Sequence, residues 1–424
     1  MKRRIDNVRP VYEGEPAEPT SVLVSDDRIG VIGDQAHASE AEEIIDGSGQ
    51  WLLPGLVDLN CHLREPGPDR NGSIATETRA AARGGFTTVC AMPDTSPVND
   101  SGAVTNLIND LARRDGAVRV LPMGAMTRGL EGERLSDMVG LSRAGCVAVS
   151  NAGYAAASAR VMRRCMAYAR TFDLLLYLQP ENASLAAGGC AHDGAVAARL
   201  GLPGIPSVAE TTAVSELLML AEETGARLHL GPLSCARSVE LLSEARARGL
   251  PVTADVAIHH LVYTEECISG YDGVFHCLPP LRSEADRRAL VAGVESGVID
   301  AICSQHRPED AAAKLAPFGQ TAPGLSCVET VLSMGLGLVA RGELSRSRLI
   351  QALTTGPARV LGRPLEQLTA GATADLCLFD PEHQWEVSNA SLLSAGKNAP
   401  AVGEMLTGDV SLTLVEGREV YRRG

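Results

Sequence analysis

Lysine is nearly missing from this 424-residue chain: Lys2, Lys314 and Lys397 are the only ones, and arginine carries the rest of the positive charge. That narrows the groups available to hold a metal. Positive charge is also short overall, 38 Lys and Arg against 52 Asp and Glu, a net of −14. A surface this acidic repels phosphate backbones and disfavours nucleic acid as a partner. No apolar run reaches membrane-spanning length, which argues against a membrane protein. The start, Met1-Lys2-Arg3-Arg4-Ile5-Asp6, lacks the apolar core of a signal peptide. The 11 cysteines form no CxxC pair and no regular framework, so they read as reduced thiols packed as small hydrophobes. The expected compartment is cytoplasmic. With 45% hydrophobic and 21% charged residues, wholesale disorder is excluded. The length suggests one large domain plus something smaller.

Short apolar runs alternate with helical patterns through most of the chain. The runs are Leu56–Leu63, Phe86–Met92, Val118–Met126, Val147–Ser150, Asp173–Gln179, Ala226–Leu233, Pro251–Ile258 and Ile299–His306. Helical stretches such as Ile74–Arg83, Ser158–Arg170, Thr211–Thr224 and Ala236–Arg248 separate them. Near-continuous apolar strands alternating with helices indicate a parallel sheet covered on both faces. Eight such units over roughly 250 residues predict an α/β fold, a closed (β/α)8 TIM barrel. A doubly wound open sheet competes, but no glycine-rich phosphate fingerprint follows the first strand. Both chain ends carry short alternating runs bounded by turn residues, which predicts antiparallel strands. Neither end can cover a core alone. The predicted division is therefore 1–54 and 366–424 as two parts of one small composite β-sandwich, around a barrel over 55–365.

Reactive groups of such a barrel sit at the C-terminal ends of its strands. There the residues carry a resemblance. The stretches PGLVDLNCHLREPG, GGFTTVCAMPDTSPV, SLAAGGCAHDGAVAARLGLPGIPSVAE, HCLPPLRSEAD and GATADLCLFDP run in order over nearly the whole chain. They resemble dihydroorotase of the cyclic amidohydrolase superfamily. The resemblance implies the barrel and sandwich already argued, and reversible ring closure of carbamoyl-aspartate to dihydroorotate at a zinc site.

Matched position by position, the family's metal ligands are mostly absent. Asn60 stands for the first histidine of a His-x-His pair, and His62 keeps the second. Asn151 replaces an acidic bridge, Gln179 and Pro232 replace histidines, and Gln305 replaces the aspartate that binds metal and moves the proton. Neutral amides are poor zinc donors, and without the ion its bound water loses its lowered pKa. A glutamine cannot act as a base near neutrality. No lysine lies at a strand end to replace a bridging carbamylated lysine. The expectation is therefore no zinc, no other cofactor and no catalytic residue. A relocated mononuclear site from His62, His306 and a cysteine is the alternative. Cys61 should face the barrel wall by alternation. His229 reads as a structural histidine.

Around the pocket, Arg64 matches the family's substrate-carboxylate clamp, a bidentate role suited to arginine. It could equally pair with Glu65 or Asp94 to hold a loop. Asp94 and Leu278 each stand where the family has asparagine, and His259 opens a His-His pair without a metal role in the family. Intact scaffold segments beside altered ligand positions resemble the dihydroorotase-like non-catalytic chains of bacterial aspartate transcarbamoylase. That resemblance implies an inactive structural subunit. It would be required for assembly and activity of the catalytic transcarbamoylase chain, in a hetero-dodecamer, in pyrimidine biosynthesis. The alternatives are an active cyclic amidohydrolase with a relocated metal and a pyrimidine-ligand-binding regulatory module.

Overall fold

The structure, a computed structural model, describes residues 2–363 and 367–424, apart from the Asp69 side chain. Strands β1 (Lys2–Tyr12), β2 (Thr20–Ser25), β3 (Arg28–Ile32) and β4 (Trp51–Pro54) come first. The barrel follows: β5 (Leu56–Cys61), β6 (Phe86–Ala91), β7 (Arg119–Ala125), β8 (Ala148–Ser150), β9 (Leu175–Leu178), β10 (Arg227–Leu230), β11 (Val252–Ala257) and β12 (Ala301–Cys303). Strands β13 (Leu376–Glu386), β14 (Met405–Val415) and β15 (Arg418–Arg422) close the chain. Four helices matter below: α1 (Ile74–Arg83), α2 (Ala159–Thr171), α3 (Ser207–Thr224) and α4 (Ile258–Val262).

Strands β5 to β12 pair in parallel and in sequence order. Their residues are buried on both faces, as the unbroken apolar runs require. The ring is drawn shut between its first and last strands. Cys61 and His306 form a parallel bridge, and the His62 N–H donates to the His306 carbonyl at 2.8 Å. The Ser304 N–H adds a bond to Asp58 Oδ1 at 2.9 Å.

The two chain ends share one sheet in the order β15-β14-β13-β4-β1-β2-β3. At the seam β13 runs antiparallel to β4, with Leu378 opposite Leu52, over a core that includes Ile5, Val22 and Leu412. One detail differs from an all-antiparallel expectation: β1 and β4 are parallel. Parallel neighbours need a crossover, and the intervening residues supply it. The sheet docks on the barrel through the end of α1. Arg83 pairs with Asp409 on β14 at 2.9 Å, and its guanidinium lies 4.2 Å from the Trp385 ring. The predicted 365/366 boundary lies outside the described residues. Among the described residues no helix is long and apolar enough to cross a membrane.

Candidate active site at the barrel mouth

The barrel interior below the mouth is filled by Tyr177 on β9. Its ring stacks on His229 of β10 with centroids 5.0 Å apart. Its hydroxyl donates to Asp255 of β11 at 2.8 Å and accepts from Asn60 Nδ2 at 3.0 Å. His229 bonds Asp255 at 3.1 Å and Thr253 at 2.8 Å, so both ring nitrogens are satisfied. That is the structural histidine expected from the sequence. Cys61 is buried among apolar wall residues, as alternation predicts.

The six family ligand positions do not make a donor set for a divalent ion. Asn151 uses both amide atoms on the backbone of Gln179: Nδ2 donates to its carbonyl and Oδ1 accepts from its N–H, each at 3.0 Å. Asn60 is committed to Tyr177, and Gln305 Nε2 donates to the Leu278 carbonyl at 3.0 Å. Pro232 has no side-chain donor. His62 is the one imidazole, and its Nδ1 lies 2.7 Å from Asp94 Oδ1. Burial is the largest influence on His62 and pulls its pKa down to about 4, against the pull of Asp94. Burial alone would raise Asp94, but His62, Arg307 and Arg64 outweigh it and hold the carboxyl well below the usual range. A neutral His62 therefore donates its Nδ1 proton to an ionised Asp94.

His306 does not line the pocket. Its Nε2 bonds Glu77 on α1 at 2.8 Å, and its Nδ1 accepts from the Cys327 N–H at 3.3 Å. His62 and His306 are thus engaged in separate networks, and the relocated set built on them is not assembled. Arg64 pairs with neither Glu65 nor Asp94. It ion-pairs with Glu309 and donates to the Pro308 carbonyl at 3.1 Å. The partner is 245 residues away in sequence, which is why local reasoning missed it. Leu278 packs against Ile205 and Ala209. His259 is buried, and desolvation pushes its pKa well below the ordinary value.

The usable space lies over the ends of β8 and β9, a cavity of about 430 Å3 lined by Asn151, Gln179, Glu181, Ala155, Glu216 and Leu217 among others. Its outer wall is the alanine-rich loop before α2. The Ala157 N–H donates to the Gly132 carbonyl at 2.9 Å. Gly132 has φ +77°, and a Cβ there would lie 2.4 Å from the Ala155 carbonyl, so only glycine lets the loop close. Ser158 caps α2 by accepting from the Val161 N–H. Glu181, after β9, is half-buried and lines the same cavity. Burial raises its pKa, Arg282 opposes that, and Glu210 adds to it. Sequence reading missed Glu181; its signal was the spacing, two residues past Gln179 and so on the same side of an extended chain.

A (β/α)8 barrel beside a sheet built from both chain ends is the architecture of solved hydantoinases. A family model described as dihydro-orotase-like matches residues 49–238. A dihydroorotase-like protein of Pseudomonas aeruginosa is 46% identical over 92% of both chains. A dihydroorotase of Anaeromyxobacter sp. strain K is 43% identical over 95% of this chain and 94% of its own. The chain belongs to the dihydroorotase-like family of amidohydrolases. The L-hydantoinase of Arthrobacter aurescens shares the fold with a TM-score of 0.88 and 26% identity, covering 100% of this chain and 96% of its own. These findings overturn the expectation of an inactive homologue. Relatives named dihydroorotase at 43% identity and a hydantoinase neighbour point to a catalytic cyclic amidohydrolase.

Proposed function

We propose that the chain opens or closes the ring C–N bond of a cyclic amide of the dihydropyrimidine or hydantoin type, in the cavity over β8 and β9, with no ion at the six family positions. The observation that carries this reading is Glu181, whose carboxyl borders the 430 Å3 cavity where barrel enzymes keep their chemistry. Ring opening adds water: a C–O bond forms between water and the carbonyl carbon as the C–N bond breaks, a carboxyl held above its ordinary range gives its proton to the leaving nitrogen, and the carboxylate recovers a proton from the attacking water; closure is the reverse and releases water. Gln179 offers an amide donor and acceptor to a ring amide. The names carried by the relatives support the reaction class. The test is turnover of dihydroorotate, dihydrouracil and hydantoin by purified chain, beside Glu181→Gln. No turnover of any of the three above background sinks the reading.

A second reading concerns partners: association with an aspartate transcarbamoylase catalytic chain in a mixed dodecamer. The outer face of α3 favours a protein contact. Val208 (46% exposed) and Met219 (63% exposed) lie about three turns apart on it. Co-expression followed by analytical ultracentrifugation tests this, and Met219→Glu should weaken any complex. A cytoplasmic location fits both readings, since all the cysteines are free and all but Cys267 are buried.

A further inference from the structure

At the end of β11 two buried imidazoles have ring nitrogens with no hydrogen-bond partner, and a buried thiol stands beside them. His259 and His260 are consecutive on α4, with rings side by side at a centroid distance of 4.6 Å. Cys277 lies in the loop before the PPLR stretch. His260 Nε2 donates to the Pro279 carbonyl at 3.1 Å. That bond fixes the tautomer: the proton is on Nε2, and Nδ1 carries a lone pair. His260 Nδ1 is buried and has no hydrogen-bond partner among the described residues; His259 Nε2 makes no well-formed hydrogen bond either, its neighbour being the Gln305 side chain. Buried polar atoms are overwhelmingly paired in folded proteins, so two such nitrogens in adjacent rings call for an explanation. The His259, His260 and Cys277 side chains each offer a ligand atom, all within 4.8 Å of one another.

We propose that His259 Nε2, His260 Nδ1 and Cys277 Sγ bind one divalent cation of the zinc class. Two imidazoles and a thiolate are the donors that a borderline-soft ion selects. Tetrahedral zinc holds such donors roughly 3.3–3.6 Å apart, so closure needs a shift of about an ångström shared among three side chains. The Pro279 carbonyl supplies the outer hydrogen bond that ligating histidines make through their second nitrogen; it now also accepts from Cys277 Sγ at 3.3 Å, and binding the ion releases that thiol proton to solvent. A fourth position is available. His259, Cys277 and Gln305 border a cavity of about 10 Å3, room for a single water. Gln305 Oε1 is itself buried without a hydrogen-bond partner. None of the three donors is one of the six family positions. The site is also separate from the Glu181 cavity, so either reading can fail while the other stands.

The test is cobalt binding by the full chain after chelator dialysis. The expected result is about one Co2+ per chain with a thiolate-to-cobalt charge-transfer band. Cys277→Ser should abolish the band, and His260→Ala should weaken binding at least about tenfold, in the range seen when metal shells are disturbed. Cys146→Ser, at a buried cysteine far along the chain, should leave the band intact. X-ray absorption of the zinc-loaded wild type needs no variant and should show two nitrogen donors and one sulfur. Absence of stoichiometric binding, a band that survives Cys277→Ser in a folded variant, or a first shell without sulfur would each overturn the site.

Discussion

Glu77 offers the sharpest test of how the barrel is tied to the chain's C-terminal part. It sits in the first turn of α1 with no exposed surface. Its carboxylate accepts from His306 Nε2 at 2.8 Å, Ser394 Oγ at 2.6 Å, the Ala395 N–H at 3.1 Å and Thr76 Oγ1 at 2.8 Å. One side chain thus joins the last barrel strand, the first helix and the segment after β13. Glu77→Gln keeps the shape and removes the charge. His306 Nδ1 accepts from backbone N–H groups, so Nε2 must carry the proton and cannot accept from the new amide. Turning the amide over leaves the Ala395 N–H unpaired instead. One buried donor is orphaned either way, at about 1–3 kcal/mol, and the remaining bonds lose their charge assistance, for a total of about 3 kcal/mol. With an unfolding entropy of about 2 cal/mol/K per residue, that lowers Tm by about 3–4 °C. Scanning calorimetry near neutral pH reads it directly. Burial alone would raise the Glu77 pKa, but its hydrogen bonds outweigh burial and lower it. Its contribution is therefore complete above the unfolded value and is lost as pH falls through the folded one. The gap between wild type and variant should accordingly narrow below about pH 4. A Glu77→Gln protein melting within about 1 °C of wild type near neutrality would refute the network account.

Glu181→Gln should lower kcat about 100-fold while changing KM little, the pattern of a lost proton-transfer group; equal loss in both would argue for a positional role. Arg64→Ala and Glu309→Ala should each cost about 3 kcal/mol in urea unfolding, because each removes the main counter-charge of a largely buried partner. The double variant should cost clearly less than the sum, and simple additivity would show that the pair is not coupled. His62 and His260 are both depressed to about 4 by burial. Depressed histidines stabilise the native state fully above about pH 6.5 and lose that contribution as pH falls toward 4, at most about 3 kcal/mol each. The urea midpoint of wild type should therefore fall between neutral pH and about pH 5 more steeply than that of His62→Gln; parallel slopes would contradict the neutral assignment of His62.

Periodicity located the barrel strands because both their faces are apolar. The run Asp173–Gln179 forms a strand over Leu175–Leu178, and Ile299–His306 forms one over Ala301–Cys303 with two isolated bridges at His306, to Cys61 and to Leu325. Both runs are trimmed at each end, where the backbone leaves the ladder. The direction of Cys61 followed from strand alternation alone, whereas the partners that satisfy His229, Thr253 and Asp255, come from the next strand. What sequence could not supply was non-local pairing. Arg64 meets Glu309, and His306 turns outward to Glu77, because loops far along the chain fold back over the strand ends. Cys277 and the two histidines before it are likewise brought together only by the loop that crosses α4.

The amides at the mouth have a structural logic of their own. Asn151 acts as an extra rung between β8 and β9, Asn60 ties β5 to Tyr177 of β9, and Gln305 ties the end of β12 to the loop carrying Leu278. Each joins two segments that a shared ion could otherwise hold, but with hydrogen bonds that need no ion. Restoring single family residues should therefore not restore a metal site. Gln305→Asp would lose its donor to the Leu278 carbonyl, and His62 would still be held by Asp94. Asn151→Asp would place a carboxylate against the Gln179 carbonyl, a repulsive contact where an amide proton now sits. A divalent ion could gain those ligands only by displacing hydrogen bonds that already shape the mouth.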